Sequence, residues 1–199
     1  HRFGPVPLDK LDAAILVWEW GAYLGPEALE RGADVCVSTW ARAAPNTFPA
    51  MAKSAANYAN SQLIKMEAIL GGYSEAIALD PQGKVSEGSG QNLFLIRDGI
   101  VYTPPLATCG LAGITRDSVI TLAKGMGLEV IEKQITRDEV YIADEAFFTG
   151  TAAEVTPIRS LDSRSIGSGT RGPITEALQK AFFDTVYGRN PNHLDWLTF

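Results

Sequence analysis

Asp98-Gly99 lies between two runs of β-forming residues, Asn92 to Arg97 and Ile100 to Thr103. An Asp-Gly pair suits the two-residue turn whose central residues both take positive φ, so it joins strands that lie antiparallel. Pro81-Gln82-Gly83 gives a similar signal between Ala76–Asp80 and Lys84–Glu87, since proline presets φ and glycine supplies the reversal. Two hairpins argue against a doubly wound parallel sheet. With the helical stretches below, they predict an α/β chain built on a mixed, largely antiparallel sheet with flanking helices.

Ala13 to Trp20 and Asp34 to Trp40 are apolar and rich in β-formers, so both read as strands around a polar segment, Pro26 to Gly32. Ser54 to Leu70 reads as a helix, with Leu63, Met66 and Ile69/Leu70 on its apolar face and Gly71-Gly72 as its stop. A second helix opens at Gly113-Ile114-Thr115, capped by Thr115 or a neighbour, with Val119, Ile120, Leu122, Ala123 and Met126 turned inward. Glu129–Ile135 and Glu145–Thr149 predict strands, Arg137–Ala143 a short helix or turn, and Pro173–Tyr187 a closing helix. Residues 1–12 read as an irregular start or linker, and residues 13–199 as one large domain, a length that can enclose a sizeable core.

The chain carries a net charge of -6, and acidic surfaces disfavour nucleic acid and anionic membranes. The apolar run Ala13 to Trp18 is far too short to span a bilayer, and no signal peptide is evident, so a cytoplasmic location is the expectation. Cys36 and Cys109 have no metal-type spacing and are expected as free thiols. The imidazoles, His1 and His193, lie close to the chain ends. A zinc site or a Ser/His/Asp triad is therefore poorly supported, and no metal is predicted.

Small-molecule chemistry has better candidates. Lys53 sits in Pro49-Ala50-Met51-Ala52-Lys53-Ser54-Ala55-Ala56, where small apolar neighbours would desolvate the ammonium and favour the neutral, nucleophilic amine. The same position suits a snorkelling surface lysine at a helix start. Glu87 ends a predicted strand before a small-residue loop; it can pair with a cationic ligand such as a pyridinium nitrogen, or serve as an ordinary turn glutamate. Gly113-Ile114-Thr115 and Thr149-Gly150-Thr151-Ala152-Ala153 can each gather backbone N–H groups and hydroxyls around an anion, or simply cap a helix and turn a strand. Trp20-Gly21-Ala22-Tyr23-Leu24-Gly25 can wall an apolar pocket or pack beside the core.

Taken in order, Lys53, Tyr58, SEGSGQNLF (86–94), LAGITRD (111–117) and TGTAAEVTPI (149–158) resemble the class IV, fold type IV aminotransferases. WGAYLG (20–25) and RAAPNTFP (42–49) make the chain similar to the bacterial branched-chain group within them. The resemblance implies the D-amino-acid-aminotransferase-like fold, a sheet or pseudo-barrel holding pyridoxal 5′-phosphate. It implies Lys53 as the Schiff-base lysine and catalytic proton shuttle, Tyr58 on the cofactor's phenolic oxygen and Glu87 on its ring nitrogen. Leu111, Gly113, Ile114 and Thr115, with Thr151, would hold the phosphate, and Gly150 would also contact the cofactor. Trp20, Tyr23, Thr151, Ala152 and Ala153 would border the substrate. The reaction implied moves an amino group from L-leucine, L-isoleucine or L-valine to 2-oxoglutarate, in an intact enzyme that is a homo-oligomer.

The pattern has departures. Gln91 stands where glutamate is frequent and Ala112 where proline is frequent. The family's small N-terminal domain, which supplies a phosphate-binding arginine, is missing, so this would be the large C-terminal domain alone. A D-amino-acid aminotransferase or an aminodeoxychorismate lyase would share the lysine, glutamate and phosphate motifs. A catalytically incompetent fragment with an assembly role is the alternative from another class.

Overall fold

The computed structural model describes residues 12–198. Chain order is α1 (Pro26–Arg31), β1 (Ala33–Val37), α2 (Ala55–Leu70), β2 (Glu75–Leu79), β3 (Val85–Gly88), β4 (Asn92–Arg97), β5 (Ile100–Thr103), α3 (Ile114–Gly125), β6 (Val130–Glu132), α4 (Arg137–Tyr141), β7 (Glu145–Gly150), β8 (Glu154–Leu161), β9 (Arg164–Ser165) and α5 (Pro173–Val186). The strands form one sheet in the order β3-β2-β1-β8-β7-β4-β5-β6, with β9 added to β8. Pairing is parallel for β1·β2, β1·β8 and β5·β6, and antiparallel for β2·β3, β4·β5, β4·β7, β7·β8 and β8·β9. The mixed, largely antiparallel expectation matches this sheet.

Alternating residues of the central strands bury on opposite faces, as strand geometry requires. Leu93, Leu95, Ala146 and Phe148 pack on one side with Val35, Ile77, Val85 and Ile158. Phe94, Ile96 and Phe147 pack on the other, beneath Val119, Ile120 and Ala123 of α3 and Leu178 of α5. There Phe94 and Phe147 stack with their ring centroids 4.9 Å apart. Burial on both faces explains why β4 and β7 read as nearly continuous apolar runs.

Two expectations are corrected, and one polar segment proves to be helical. Ala13–Trp20 is not a strand: it has no regular structure, and Ile15 and Val17 are 94% and 89% exposed. β-propensity acts through packing against a neighbouring strand, and none lies beside this run among the described residues. The polar segment Pro26–Gly32 holds a short helix over Pro26–Arg31, with proline in its first turn, Glu27 in that turn and Gly32 at φ 91° ending it. On α2 the inward residues are Ile64 and Ala68, whereas Leu63, Met66, Ile69 and Leu70 are exposed, as is Met126 after α3. Ala68 meets Ala76 and Ala78 of β2, and small side chains on both surfaces let α2 lie close to the sheet. Apart from Ile64, the larger apolar side chains of α2 face away.

Ile64 is thus the one bulky anchor of α2 in that cluster, fully buried against Cys36, Ala76 and Ala78. Ile64→Val should cost about 1 kcal/mol, read as a lower urea midpoint at unchanged slope; an unchanged midpoint would remove Ile64 as the anchor. Among the described residues no helix is long and apolar enough to cross a membrane.

Candidate active site

The segment between β1 and α2, the rim of β3 and β4, the start of α3 and the β7–β8 turn surround a cavity of about 450 Å³. Lys53, Tyr58, Glu87, Leu111, Gly113, Ile114, Thr115, Gly150 and Thr151 all line it. These residues come from positions 53 to 151, and only the sheet order brings them to one place. Trp20, Tyr23, Ala152 and Ala153 are not among its lining. Trp20 is 58% exposed and lies against Trp18, Ala152 is exposed, and Ala153 is buried in the turn beneath. Tyr23 approaches the rim on the side of Ser89 and Gln91, both of which do line the cavity.

Lys53 is exposed on the cavity wall, two residues before α2. Its small apolar neighbours therefore do not bury it, contrary to the desolvation argument drawn from the local sequence. Tyr58 follows on the first turn of α2. Glu87, on β3, is no surface glutamate: it is 9% exposed. Its Oε2 accepts the Leu111 N–H at 3.0 Å and the Asn92 carboxamide at 3.3 Å. Arg42 Nη2 lies 3.1 Å from its Oε1. Burial pushes the Glu87 carboxyl above its ordinary range, while the Arg42 charge and the Leu111 amide act against that rise.

The opposite end of the cavity is built for an anion. α3 begins at Gly113 without a side-chain cap, so its first amides have no partner within the helix and point outward at the positive end of the helix dipole. A Cβ on Gly113 would stand 2.1 Å from Asn92 Oδ1. Only glycine lets the backbone pass this close. Thr149 Oγ1, also on the wall, is buried with no hydrogen-bond partner, an unmet polar group of the kind that a ligand satisfies.

Sequence reasoning gave no role of their own to Arg42 and Asn92, and named Thr149 only as part of an anion-gathering turn. Asn92 and Thr149 did carry a signal: each is a polar residue beside the apolar run of its strand, Leu93–Ile96 or Ala146–Phe148, and they face each other across β4 and β7. Cys36 and Cys109 are free and buried, as expected. Among the described residues no cluster of His, Cys, Asp and Glu could hold a metal ion.

The family model for amino-transferase class IV matches residues 9–161. The chain belongs to the class IV aminotransferases. It is 56% identical over 189 residues to the branched-chain-amino-acid aminotransferase of Pseudomonas aeruginosa, covering 95% of this chain and 61% of that protein. The crystal structure of the Escherichia coli branched-chain amino acid aminotransferase superposes with a TM-score of 0.89 at 50% identity, over 92% of this chain and 60% of that one. The branched-chain amino acid aminotransferase of Thermobaculum terrenum, in its pyridoxal-phosphate holo-form, gives 0.83 at 44% identity, over 85% and 55%. The fold is that of these fold type IV enzymes, whose cofactor is pyridoxal 5′-phosphate. The chain spans about three fifths of the length of the relatives it matches.

Within this family frame the Gln91 departure has a local reason. Gln91 Nε2 donates to Glu75 Oε2 at 2.8 Å, and Glu75 is fully buried. A glutamate there would set two carboxylates side by side, with Lys65, 3.1 Å from Glu75, as the cation between them.

Proposed function

We propose that residues 13–199 form the large cofactor-binding domain of a transaminase that moves the amino group of L-leucine, L-isoleucine or L-valine to 2-oxoglutarate. The observation that carries this reading is one cavity holding a lysine amine, a buried carboxylate and an uncapped helix N-terminus. Pyridoxal phosphate has a carbonyl carbon, a basic ring nitrogen and a phosphate, and the three protein groups match those three needs. The Gly113 cradle and the unpartnered Thr149 hydroxyl also fit a phosphate-bearing ring.

When bound, the cofactor supplies an electron sink for the pair left on the substrate's Cα. Lys53 Nζ takes the Cα proton and returns it on the other side of the reaction, as a general base and then acid. Glu87 accepts the ring N–H and so favours the protonated ring. Tyr58 donates its hydroxyl proton in a hydrogen bond to the phenolic oxygen. The α3 amides, with the hydroxyls of Thr115 and Thr151, hold the phosphate. Tyr23, Trp20 and the Thr151–Ala153 turn complete the substrate side; Tyr23 is nearest to that role, lying on the side of Ser89 and Gln91.

A substrate panel tests the reading: glutamate should form from branched L-amino acids and 2-oxoglutarate. Turnover confined to D-alanine or aminodeoxychorismate would replace it with one of the sister activities. Gly113→Ala should leave the fold intact yet weaken pyridoxal phosphate binding by about tenfold, or 1.4 kcal/mol, because the new methyl group displaces the Asn92 carboxamide. An affinity equal to the parent's in an absorbance titration would argue against phosphate at this helix.

A second reading has its own support. The cations on the cavity wall are Lys53 and Arg42, and Arg42 is turned to Glu87 rather than to α3. We therefore propose that this length of chain alone holds the cofactor weakly and turns over poorly. An absorption band that appears with added pyridoxal phosphate and disappears in Lys53→Ala supports a working site; no band supports an inert fragment. The apolar side chains exposed on α2 and at Ile15–Trp20 support assembly into a homo-oligomer, and we propose a cytoplasmic location.

A further inference from the structure

Arg42 lies in the segment between β1 and α2 and is 8% exposed. Its Nη1 donates to Asn60 Oδ1 at 3.1 Å and to Ser61 Oγ at 3.0 Å, both on α2. Its Nη2 donates to the carbonyl oxygens of Gly88 and Ser89 and lies 3.1 Å from Glu87 Oε1. A guanidinium is planar and stays protonated at any ordinary pH, so these contacts fix a permanent charge at one place and angle. One side chain thereby ties the helix that carries Tyr58 to the strand that carries Glu87.

We propose that Arg42 is a positioning residue, which keeps Glu87 ionised and aimed into the cavity so that its carboxylate can accept the N–H of a protonated nitrogen heterocycle. The inference rests on the function proposed above for its purpose, but its physical content concerns only Arg42 and Glu87. Burial works against the Glu87 charge; Arg42 and the Leu111 amide oppose it. The other titratable groups around Glu87 are the buried Cys109 thiol, raised chiefly by its own burial, and Lys53 and Tyr58 on the cavity wall. None of these acts on Glu87 as Arg42 does. Without Arg42, burial is opposed by the single amide and the Asn92 carboxamide.

The test uses the chain without cofactor and follows the Glu87 carboxyl by ¹³C NMR as pH is varied. Arg42→Gln keeps a donor for the Gly88 and Ser89 carbonyls but removes the charge, and should raise the Glu87 midpoint by about 1–3 pH units. Arg42→Lys, which restores a cation, should return most of that rise. A midpoint unmoved in Arg42→Gln, or raised equally in both variants, would overturn the proposal. Should Arg42→Gln be unfolded at neutral pH, an unpaired carboxylate as the cause predicts refolding below the raised midpoint; a chain unfolded at every pH also overturns it. Failure of the parent chain to bind pyridoxal phosphate would leave only the inert-fragment reading of its function and would leave this titration unchanged, so the two can fail separately.

Discussion

Lys53→Ala is expected to stop transamination while leaving the chain folded. The side chain is exposed on the cavity wall and belongs to no buried apolar cluster. Its removal should therefore change stability by no more than about 0.5 kcal/mol. Chemistry is another matter. An amine that moves a proton at the reacting carbon contributes about 10²–10⁴-fold by that role, and in the proposed function Lys53 also provides the covalent attachment, so turnover should fall by at least about 10⁴-fold. Tyr58 cannot stand in for it, because a phenol cannot form the Schiff base that attaches the cofactor. Two measurements separate the roles: glutamate formation with saturating cofactor, and the site at which borohydride fixes pyridoxal phosphate to the chain, read by mass spectrometry. Fixation should occur at residue 53 in the parent and nowhere in the variant. Activity within tenfold of the parent, or fixation on another lysine, would remove Lys53 from the mechanism.

The elements legible in the sequence are those whose cause is local. Asp98 and Gly99 take φ of 52° and 77°, as the hairpin turn demands, and the flanking strands start and stop where the alternation says. β8 is hard to read because it contains Pro157, which normally argues against an internal strand. It is tolerated because Pro157 lies one residue short of the ladder with β1, which begins at Ile158. The outward face of α2 misleads because Leu63, Met66, Ile69 and Leu70 point away from the sheet, whereas Ile64 and Ala68 face it. The site divides in the same way. Lys53, Tyr58 and Glu87 can be read from motifs in order. Arg42 cannot, since the carbonyls and carboxylate that hold it lie some 46 positions away and meet it only through the parallel pairing of β1 with β2 and the β2–β3 hairpin.

Glu87→Gln is expected to separate function from stability. The substitution keeps shape and an acceptor for the Leu111 N–H but removes the charge that favours a protonated ring, so turnover should fall by about 10²–10³-fold, the usual effect of removing one aimed electrostatic partner. Breaking a buried ion pair commonly costs about 3–5 kcal/mol, yet here that penalty should be absent. Arg42 keeps Asn60, Ser61 and the Gly88 and Ser89 carbonyls as acceptors, and burial already makes the ionised Glu87 unfavourable. The sign follows from linkage. A carboxyl whose folded pKa is raised holds its proton more tightly in the folded chain, so stability is greatest below the ordinary carboxylate range. It declines as pH rises through that range to the raised value, and the deficit persists above it. Glutamine has no such transition. At neutral pH the variant should thus melt at or above the parent's temperature, and the gap should close as pH falls below the ordinary carboxylate range. A variant markedly less stable than the parent at neutral pH would mean that the Arg42 pair outweighs burial and that Glu87 is held by the fold rather than kept at its expense.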